Sequence, residues 1–301
     1  MLSVVVVTYD MARELPRTLH SLGSDYQREV DGDDYEVIVV DNGSPVPVPS
    51  ALRESFAGNL RVEHLDPAPP SPAHAVNHGL ACARGDLVGV MVDGARLASP
   101  GLVAGARRAA RLSDRAVITA PAFHLGPTTH MNAAADGYDQ TVEDALLARS
   151  GWETDGYRLF GISTPAGSSG RGLFGPMGES SSLFASSRIW AELGGMDERF
   201  QLPGGGLANH DLYLRACSLP DVQLVVLLGE ATFHQYHGGA ATSRRYTWDE
   251  MQADYQALRG EHHRPPANAS LFVGRVPPGA LPFVERSARQ ALDHFTHADD
   301  W

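Results

Sequence analysis

Four apolar runs, each followed by a polar turn, constrain the fold of the first hundred residues most strongly. Residues 2–8 and 35–40 are rich in Val and Ile, which is typical of strands buried on both faces. Residues 60–65 and 87–92 predict a third and a fourth strand. Leu15, Leu19 and Leu22 predict a helix after the first strand, and residues 73–83 predict another. This alternation predicts a doubly wound, nucleotide-binding α/β unit.

Polar side chains stand where three of these strands end. Thr8 and Asp10 follow the first strand, Asp41 the second and Asp93 the fourth. Ligands of open α/β sheets bind outside the carboxyl ends of the strands, so we expect these residues to share one edge. Thr8 and Asp10 could instead cap the next helix, and the two aspartates could serve as turn residues.

Composition excludes some functions. The chain has 24 Lys and Arg against 36 Asp and Glu, a net charge of -12, so we expect no nucleic-acid partner. No run of 18 apolar residues exists, which predicts no integral membrane segment. A strand begins at once, so no signal peptide is expected, and we predict a cytoplasmic protein with Cys82 and Cys217 as free thiols.

The pattern changes after residue 99. Residues 102–112 predict a helix, residues 116–120 and 222–228 predict strands, and regular structure is expected to resume at residues 182–185. Residues 124–181 carry only weak periodicity, which predicts a long functional or mobile loop region. Helices are predicted again at residues 189–193, 246–258 and 284–297; the last could pack on the body or on a second copy in a homo-oligomer.

Six segments, taken in order, resemble family 2 glycosyltransferases. They are Val4-Val5-Val6-Val7-Thr8-Tyr9, Val37-Ile38-Val39-Val40-Asp41-Asn42-Gly43-Ser44, Ala75-Val76-Asn77-His78-Gly79 with Ala83-Arg84-Gly85-Asp86 and Val92-Asp93-Gly94-Ala95, Glu192-Leu193-Gly194-Gly195-Met196-Asp197-Glu198-Arg199-Phe200, Asp211-Leu212 with Arg215, and His234-Gln235-Tyr236-His237-Gly238-Gly239. The resemblance implies a GT-A-like fold: a Rossmann-type, nucleotide-binding mixed sheet flanked by helices, with a loop-rich acceptor half and a helical C-terminal tail. It divides the chain into a catalytic domain at 1–240, with a nucleotide-sugar half at 1–98 and an acceptor half at 99–240, and an extension at 241–301.

The resemblance also implies a binding site. Thr8, Asp10 and Asp41 would lie by the nucleoside, and Asn77 and Arg84 would face the nucleotide. Asp93 matches the first acid of the family's D-x-D motif, which holds a divalent cation on the diphosphate. His237, or His234, would be the late metal or phosphate ligand, and a histidine suits Mn²⁺ better than Mg²⁺. Since residues i and i+3 of an extended strand point to opposite faces, both histidines can bind one ion only if a turn separates them, and we favour His237.

The sequence departs from the family pattern at two positions. Ala95 stands where the second acid of the D-x-D motif is expected, and Asn209 stands where the general base is expected. The base would then be Asp211, His210 or a residue of another loop, for which Glu179 is a candidate. Asp211 could equally form a helix ion pair with Arg215.

These features predict an enzyme that moves a sugar from a nucleotide-diphosphate sugar to an acceptor hydroxyl, with divalent-metal assistance (Mn²⁺ or Mg²⁺) and inversion. Two alternatives stay open. The chain could be an isomerase or mutase that modifies the sugar of its nucleotide, or a non-catalytic nucleotide-sugar-binding protein.

Overall fold

The computed structural model describes residues 1–239 and 246–297, with side chains described up to residue 293. An eight-stranded mixed sheet forms its centre, in the order β12-β10-β6-β9-β4-β1-β2-β3, and a four-stranded sheet has the order β5-β11-β7-β8. The strands are β1 (Leu2–Thr8), β2 (Tyr35–Asp41), β3 (Asn59–His64), β4 (Leu87–Met91), β5 (Arg96–Ala98), β6 (Ala116–Thr119), β7 (Ala122–Leu125), β8 (Ser163–Pro165), β9 (Leu183–Ser186), β10 (Gln223–Leu228), β11 (Thr232–His234) and β12 (Ser270–Gly274).

Ten α-helices occur among the described residues. They are α1 (Leu15–Leu22), α2 (Ser50–Ser55), α3 (Ala73–Cys82), α4 (Leu102–Ala109), α5 (His130–Ala133), α6 (Gln140–Ser150), α7 (Ser187–Leu193), α8 (Ala208–Ser218), α9 (Trp248–Arg259) and α10 (Leu281–His297). Short 3₁₀ turns join several of them. None of the helices that the structure describes is both long and apolar enough to cross a membrane.

The predicted α/β fold is confirmed. Strands β1 and β2 are buried at every position and pair in parallel, as their apolar composition requires. Strand β4 continues the parallel order on the other side of β1, whereas β9 runs antiparallel between β4 and β6 and makes the sheet mixed. Residues that alternate along the strands, such as Val5 and Val6, enter two separate apolar cores, one on each face of the sheet.

Residues 124–181 hold more regular structure than their sequence predicts, so the expectation of a long loop region is corrected here. They contain α5, α6 and β8, and α6 begins at an Asp139 cap whose side chain accepts from the Val142 amide at 2.9 Å. Helix α6 buries only Glu143 and Leu147 among its residues, which explains its weak periodicity. Because Glu143 accepts a hydrogen bond from the Tyr236 amide at 2.7 Å, this helix braces the segment after β11.

The segment after residue 245 is joined to the body by both a strand and two helices. Strand β12 pairs in parallel with β10 at one edge of the large sheet, a pairing that the sequence did not predict. Helix α9 ends at Arg259, whose guanidinium reaches Asp211 and Asp197. Helix α10 buries Phe283 and Ser287 against the body, and the Ser287 hydroxyl accepts from the Leu173 amide at 2.9 Å. Both cysteines are free, as predicted.

Candidate functional site

The carboxyl ends of β1, β2 and β4 form one edge of the large sheet. Thr8 is paired with Asp41 in the register of β1 and β2, and Asp93 follows β4 by two residues. Gly94 lies so close to Thr8 that an added Cβ would stand 2.9 Å from its hydroxyl oxygen, which shows how tightly the two strand ends meet. The three strand-end residues Thr8, Asp41 and Asp93 therefore converge as the sequence predicts.

A groove of about 460 Å³ lies at the opposite edge, beside Met1, Leu2 and Leu87, where the same strands begin. None of the predicted site residues lines it. Since ligands of such sheets bind at the carboxyl ends, we place the functional site at the edge that carries Thr8, Asp41 and Asp93.

Beside the ends of β1 and β2, one turn is held by hydrogen bonds, and two polar side-chain atoms have no described hydrogen-bond partner. The Asp41 carboxylate is buried and accepts from the Ser44 amide and hydroxyl at 2.9 and 2.5 Å, while its other oxygen contacts His64 Nδ1 at 3.0 Å. Asp41 thus shapes the turn after β2. By contrast, the Thr8 hydroxyl and the Asn42 side-chain oxygen are buried without a described partner, and Asp10 is exposed at a positive φ of 52°. These atoms remain available to a ligand.

Asp93, His234 and His237 form the most concentrated group of ligating atoms at the edge. His234 Nε2 lies 2.6 Å from Asp93 Oδ2 and 3.1 Å from His237 Nε2, and His237 Nε2 lies 3.4 Å from the same carboxylate oxygen. The three ligand atoms all lie within 4.8 Å of one another. One carboxylate and two imidazoles at this spacing can hold a divalent ion that takes oxygen and nitrogen ligands.

The pKa shifts in this group favour the protonation states that bind a cation. Burial opposes ionisation of Asp93, but the charges and hydrogen bonds of His234 and His237 outweigh it, so the pKa of Asp93 falls well below its usual range. Burial lowers the pKa of His234 to about 4, only partly offset by Asp93. For His237, burial is outweighed by Asp93, which raises the pKa. At neutral pH the site therefore offers an ionised carboxylate and a neutral His234.

The structure brings both histidines to Asp93, although we favoured His237 alone. Strand β11 ends at His234, and His237 lies beyond it, so the alternation of faces along a strand does not separate the two side chains.

Two further histidines stand beside His234. His124 and His130 offer nitrogens within 4.8 Å of one on His234, and the Nδ1 atoms of His130 and His234 are buried without a described partner. Burial is the main cause that lowers the pKa of His130 to about 3, so it stays neutral. These two residues lie in the region predicted as a loop, and no periodicity in the sequence singles them out.

Glu179, Asn209 and His210 form a second cluster of polar side chains. The Asn209 side-chain amide donates to Glu179 Oε2 and to the Ser180 carbonyl, both at 2.8 Å, and His210 Nδ1 lies 3.6 Å from the same carboxylate oxygen. Burial would raise the pKa of Glu179, but His210, Arg96 and the Asn209 amide together lower it. Glu179 is thus an ionised carboxylate held by the residue that stands where the base was expected.

Asp211 is engaged differently from Glu179. Its buried carboxylate accepts from Arg215 Nε at 2.8 Å and from Arg259 Nε and Nη2 at 2.6 and 2.8 Å. Both oxygens are therefore bound by arginine, as in the helix ion pair that the spacing to Arg215 allowed. We do not carry Asp211 forward as a base.

Asn77 and Arg84 are engaged in contacts outside the group around Asp93. The Asn77 amide is bound to the backbone of Met196 and to Glu198, so it ties α3 to the segment after α7. The Arg84 amide donates to Ser3 and Glu36 near the beginnings of β1 and β2, at the opposite edge of the sheet. We therefore do not carry these two residues into the nucleotide site.

The chain was compared with known proteins. Residues 3–93 match the model of glycosyl transferase family 2. No curated protein sequence matches the chain. Among solved structures, S. aureus TarS has a TM-score of 0.55 and 12% identity, over 100% of this chain and 44% of the TarS chain. A shorter TarS chain, solved in complex with UDP-GlcNAc, has a TM-score of 0.56 and 14% identity, over 98% of this chain and 73% of that one.

This chain therefore spans less than half of the TarS chain in the first structure. At these identities the likeness shows a shared fold, while the match at residues 3–93 covers the strand ends at Thr8, Asp41 and Asp93. The chain is thus similar to glycosyl transferase family 2 over residues 3–93, and it shares its fold with the TarS structures.

Proposed function

We propose that the protein transfers a sugar from a nucleoside-diphosphate sugar to an acceptor hydroxyl, with help from a divalent metal ion and with inversion at the sugar carbon. One observation carries the proposal: Asp93, His234 and His237 converge at the edge where a donor diphosphate binds in such sheets. The alternatives, an isomerase or mutase and a non-catalytic binding protein, have no separate observation in their favour.

The donor set fits a divalent ion. Asp93 supplies a carboxylate oxygen, and His234 and His237 supply imidazole nitrogens, which Mn²⁺ accepts more readily than Mg²⁺ does. The buried carboxylate is ionised, and both Nε2 atoms already face it. A metal bound there would neutralise negative charge that develops on the leaving diphosphate. With Ala95 in place of a second acid, His234 supplies the additional ligand.

Glu179 is the general base of this proposal. A base must be ionised before the reaction, and His210, Arg96 and Asn209 keep the Glu179 carboxylate in that state. Asn209 cannot take a proton, but its amide fixes the orientation of Glu179. His210 contacts the same carboxylate and is a positioning residue here. Inversion follows from this assignment, since one carboxylate activates the acceptor for direct displacement.

The nucleoside end supports the choice of donor. The unpaired hydroxyl of Thr8 and the exposed Asp10 can contact a ribose or a base, and Asp41 holds the turn after β2 beside them. UDP-GlcNAc is the first donor to test, because a structural neighbour was solved in complex with it. The acceptor hydroxyl, a homo-oligomeric state and a cytoplasmic location stay predictions.

Calorimetric titration of UDP with and without Mn²⁺ tests the proposed site. We expect Mn²⁺ to strengthen UDP binding to the native protein, and Asp93→Ala to abolish that gain because the metal loses its only carboxylate ligand among these residues. Asp86→Ala, at an exposed acid of the opposite edge, is the matched control. Unchanged metal-dependent affinity in Asp93→Ala would disprove the assigned site.

A further inference from the structure

Arg96 is a cation next to the proposed metal ligands, and the function described so far assigns it no ligand. It begins β5, three residues after Asp93, and is paired with His234 in the antiparallel register of β5 and β11. His234 is in turn paired with His124 of β7. Paired residues on neighbouring strands share a face, so Arg96, His234 and His124 form one row across the small sheet.

The guanidinium of Arg96 has no anionic partner among the described residues. Arg96 is half-buried, but its Nη1 atom is buried and donates no hydrogen bond to a described residue, and no described carboxylate forms an ion pair with it. The nearby acid Asp93 is already bound by His234 and His237, and Glu179 is bound by Asn209. A buried N–H group of a cation that lacks an acceptor is costly, which implies that an anion completes the site when ligand binds.

The charge of Arg96 reaches both halves of the site. It lowers the pKa of His234, opposes the rise in the pKa of His237, and helps lower the pKa of Glu179. The positive charge therefore acts on the proposed metal ligands and on the proposed base alike.

We infer that Arg96 binds the diphosphate of the donor. Its positive charge would then neutralise part of the negative charge that a metal ion held by a complete D-x-D motif would otherwise neutralise. Ala95 removes one carboxylate from the metal site, and the next residue adds a guanidinium that can bind two phosphate oxygens at once. The inference rests on the proposed function. It adds the expectation that nucleoside diphosphate binds measurably even when no divalent metal is present.

The test measures UDP affinity by calorimetry in EDTA, and Mn²⁺ affinity of the nucleotide-free protein. Arg96→Gln should weaken UDP binding in EDTA by about tenfold to a hundredfold, since it removes hydrogen bonds from a charged donor. Arg96→Lys should retain part of the affinity. Arg111→Gln removes the same charge at an exposed residue by the opposite groove and should bind UDP like the native protein.

Mn²⁺ affinity separates a charge effect of Arg96 from a structural one, because the two predict changes of opposite sign. Removing a positive charge beside Asp93, His234 and His237 should strengthen Mn²⁺ binding to Arg96→Gln by a few-fold, whereas damage to the fold would weaken it. A thermal melt of each variant confirms that it is folded. Should Arg96→Gln unfold, the Arg96→Met variant, which also removes the charge, carries both measurements.

Each outcome decides between the inference and the proposed function. If the native protein binds UDP in EDTA and Arg96→Gln binds it equally well, the inference is wrong and the proposed function stands. If native binding requires Mn²⁺, the inference is again wrong, while the metal site gains support. If the native protein binds none of UDP, GDP, CDP, ADP and dTDP under either condition, the proposed function fails and the inference fails with it.

Discussion

The assignment of Glu179 as base and of Asp211 as an ion-pair residue predicts opposite effects of two conservative variants. Asp211→Asn keeps the shape of the side chain but removes the charge that Arg215 and Arg259 contact. Glu179→Gln keeps an oxygen that can accept from Asn209 but cannot take a proton. The first variant should lose stability, and the second should lose turnover.

The magnitude follows from burial. The Asp211 side chain is 1% exposed, and breaking a buried pair from one side costs about 3–5 kcal/mol. Arg215 and Arg259 are 28% and 20% exposed, and Arg259 also pairs with Asp197 at 2.8 Å, so we expect the lower end of that range. With about 2.1 cal/mol/K of unfolding entropy per residue over 301 residues, about 3 kcal/mol lowers the melting temperature by about 5 °C.

The assay pairs a thermal melt with the rate of UDP release from UDP-GlcNAc at saturating donor. Glu179→Gln should melt near the native temperature and release UDP about 10² to 10⁴ times more slowly, the usual loss when a general base is removed. Asp211→Asn should melt lower and, at temperatures where it is folded, retain turnover within about a factor of ten. A stable Asp211→Asn that has lost turnover would refute the reasoning and make Asp211 the base.

Two further predictions concern the metal ligands and the strand ends. Mn²⁺ affinity should fall as the solution is acidified, because His237 has a raised pKa and must lose its proton to bind metal, whereas His234, with a pKa of about 4, stays neutral. His237→Gln should remove most of that dependence in a titration at pH 8, 7 and 6, and a flat profile in the native protein would rule out His237 as a ligand. Gly94→Ala should lower the free energy of unfolding by about 1–3 kcal/mol, since its Cβ would stand 2.9 Å from Thr8. Gly161→Ala, where nothing lies within 4 Å of the added Cβ, should melt like the native protein, and equal melting temperatures of both variants would contradict the close packing described here.

The strand ends were predictable because burial on both faces leaves a strong sequence pattern. Strands β1, β2 and β4 were predicted to within a residue or two, and parallel pairing then places Thr8, Asp41 and Asp93 at one edge. Arg84 shows the limit of matching motifs by their order. The order of segments does not say which edge of the sheet a loop joins, and the loop before β4 lies at the beginnings of the strands.

The rest of the site depends on contacts between distant parts of the chain. His234 and Asp93 are 141 residues apart, and Asn209 and Glu179 are 30 apart, so no local periodicity relates them. Helix α6 escaped prediction because it buries so few of its residues, with a charged glutamate among them. Arg96 could not be predicted as a site residue, because an arginine near a strand is ordinary in a sequence. What distinguishes it is that its Nη1 atom has no hydrogen-bond partner among the described residues.

Incubation of the native protein with UDP-GlcNAc and Mn²⁺, followed by chromatography of the products, tests the central claim most directly. The account predicts slow, metal-stimulated release of UDP together with free sugar when water is the only acceptor, and loss of that release in Asp93→Ala. A panel of other nucleoside-diphosphate sugars extends the test to donors with another base or sugar. Conversion of the sugar without release of nucleotide, or binding without turnover of any donor in the panel, would contradict a transferase.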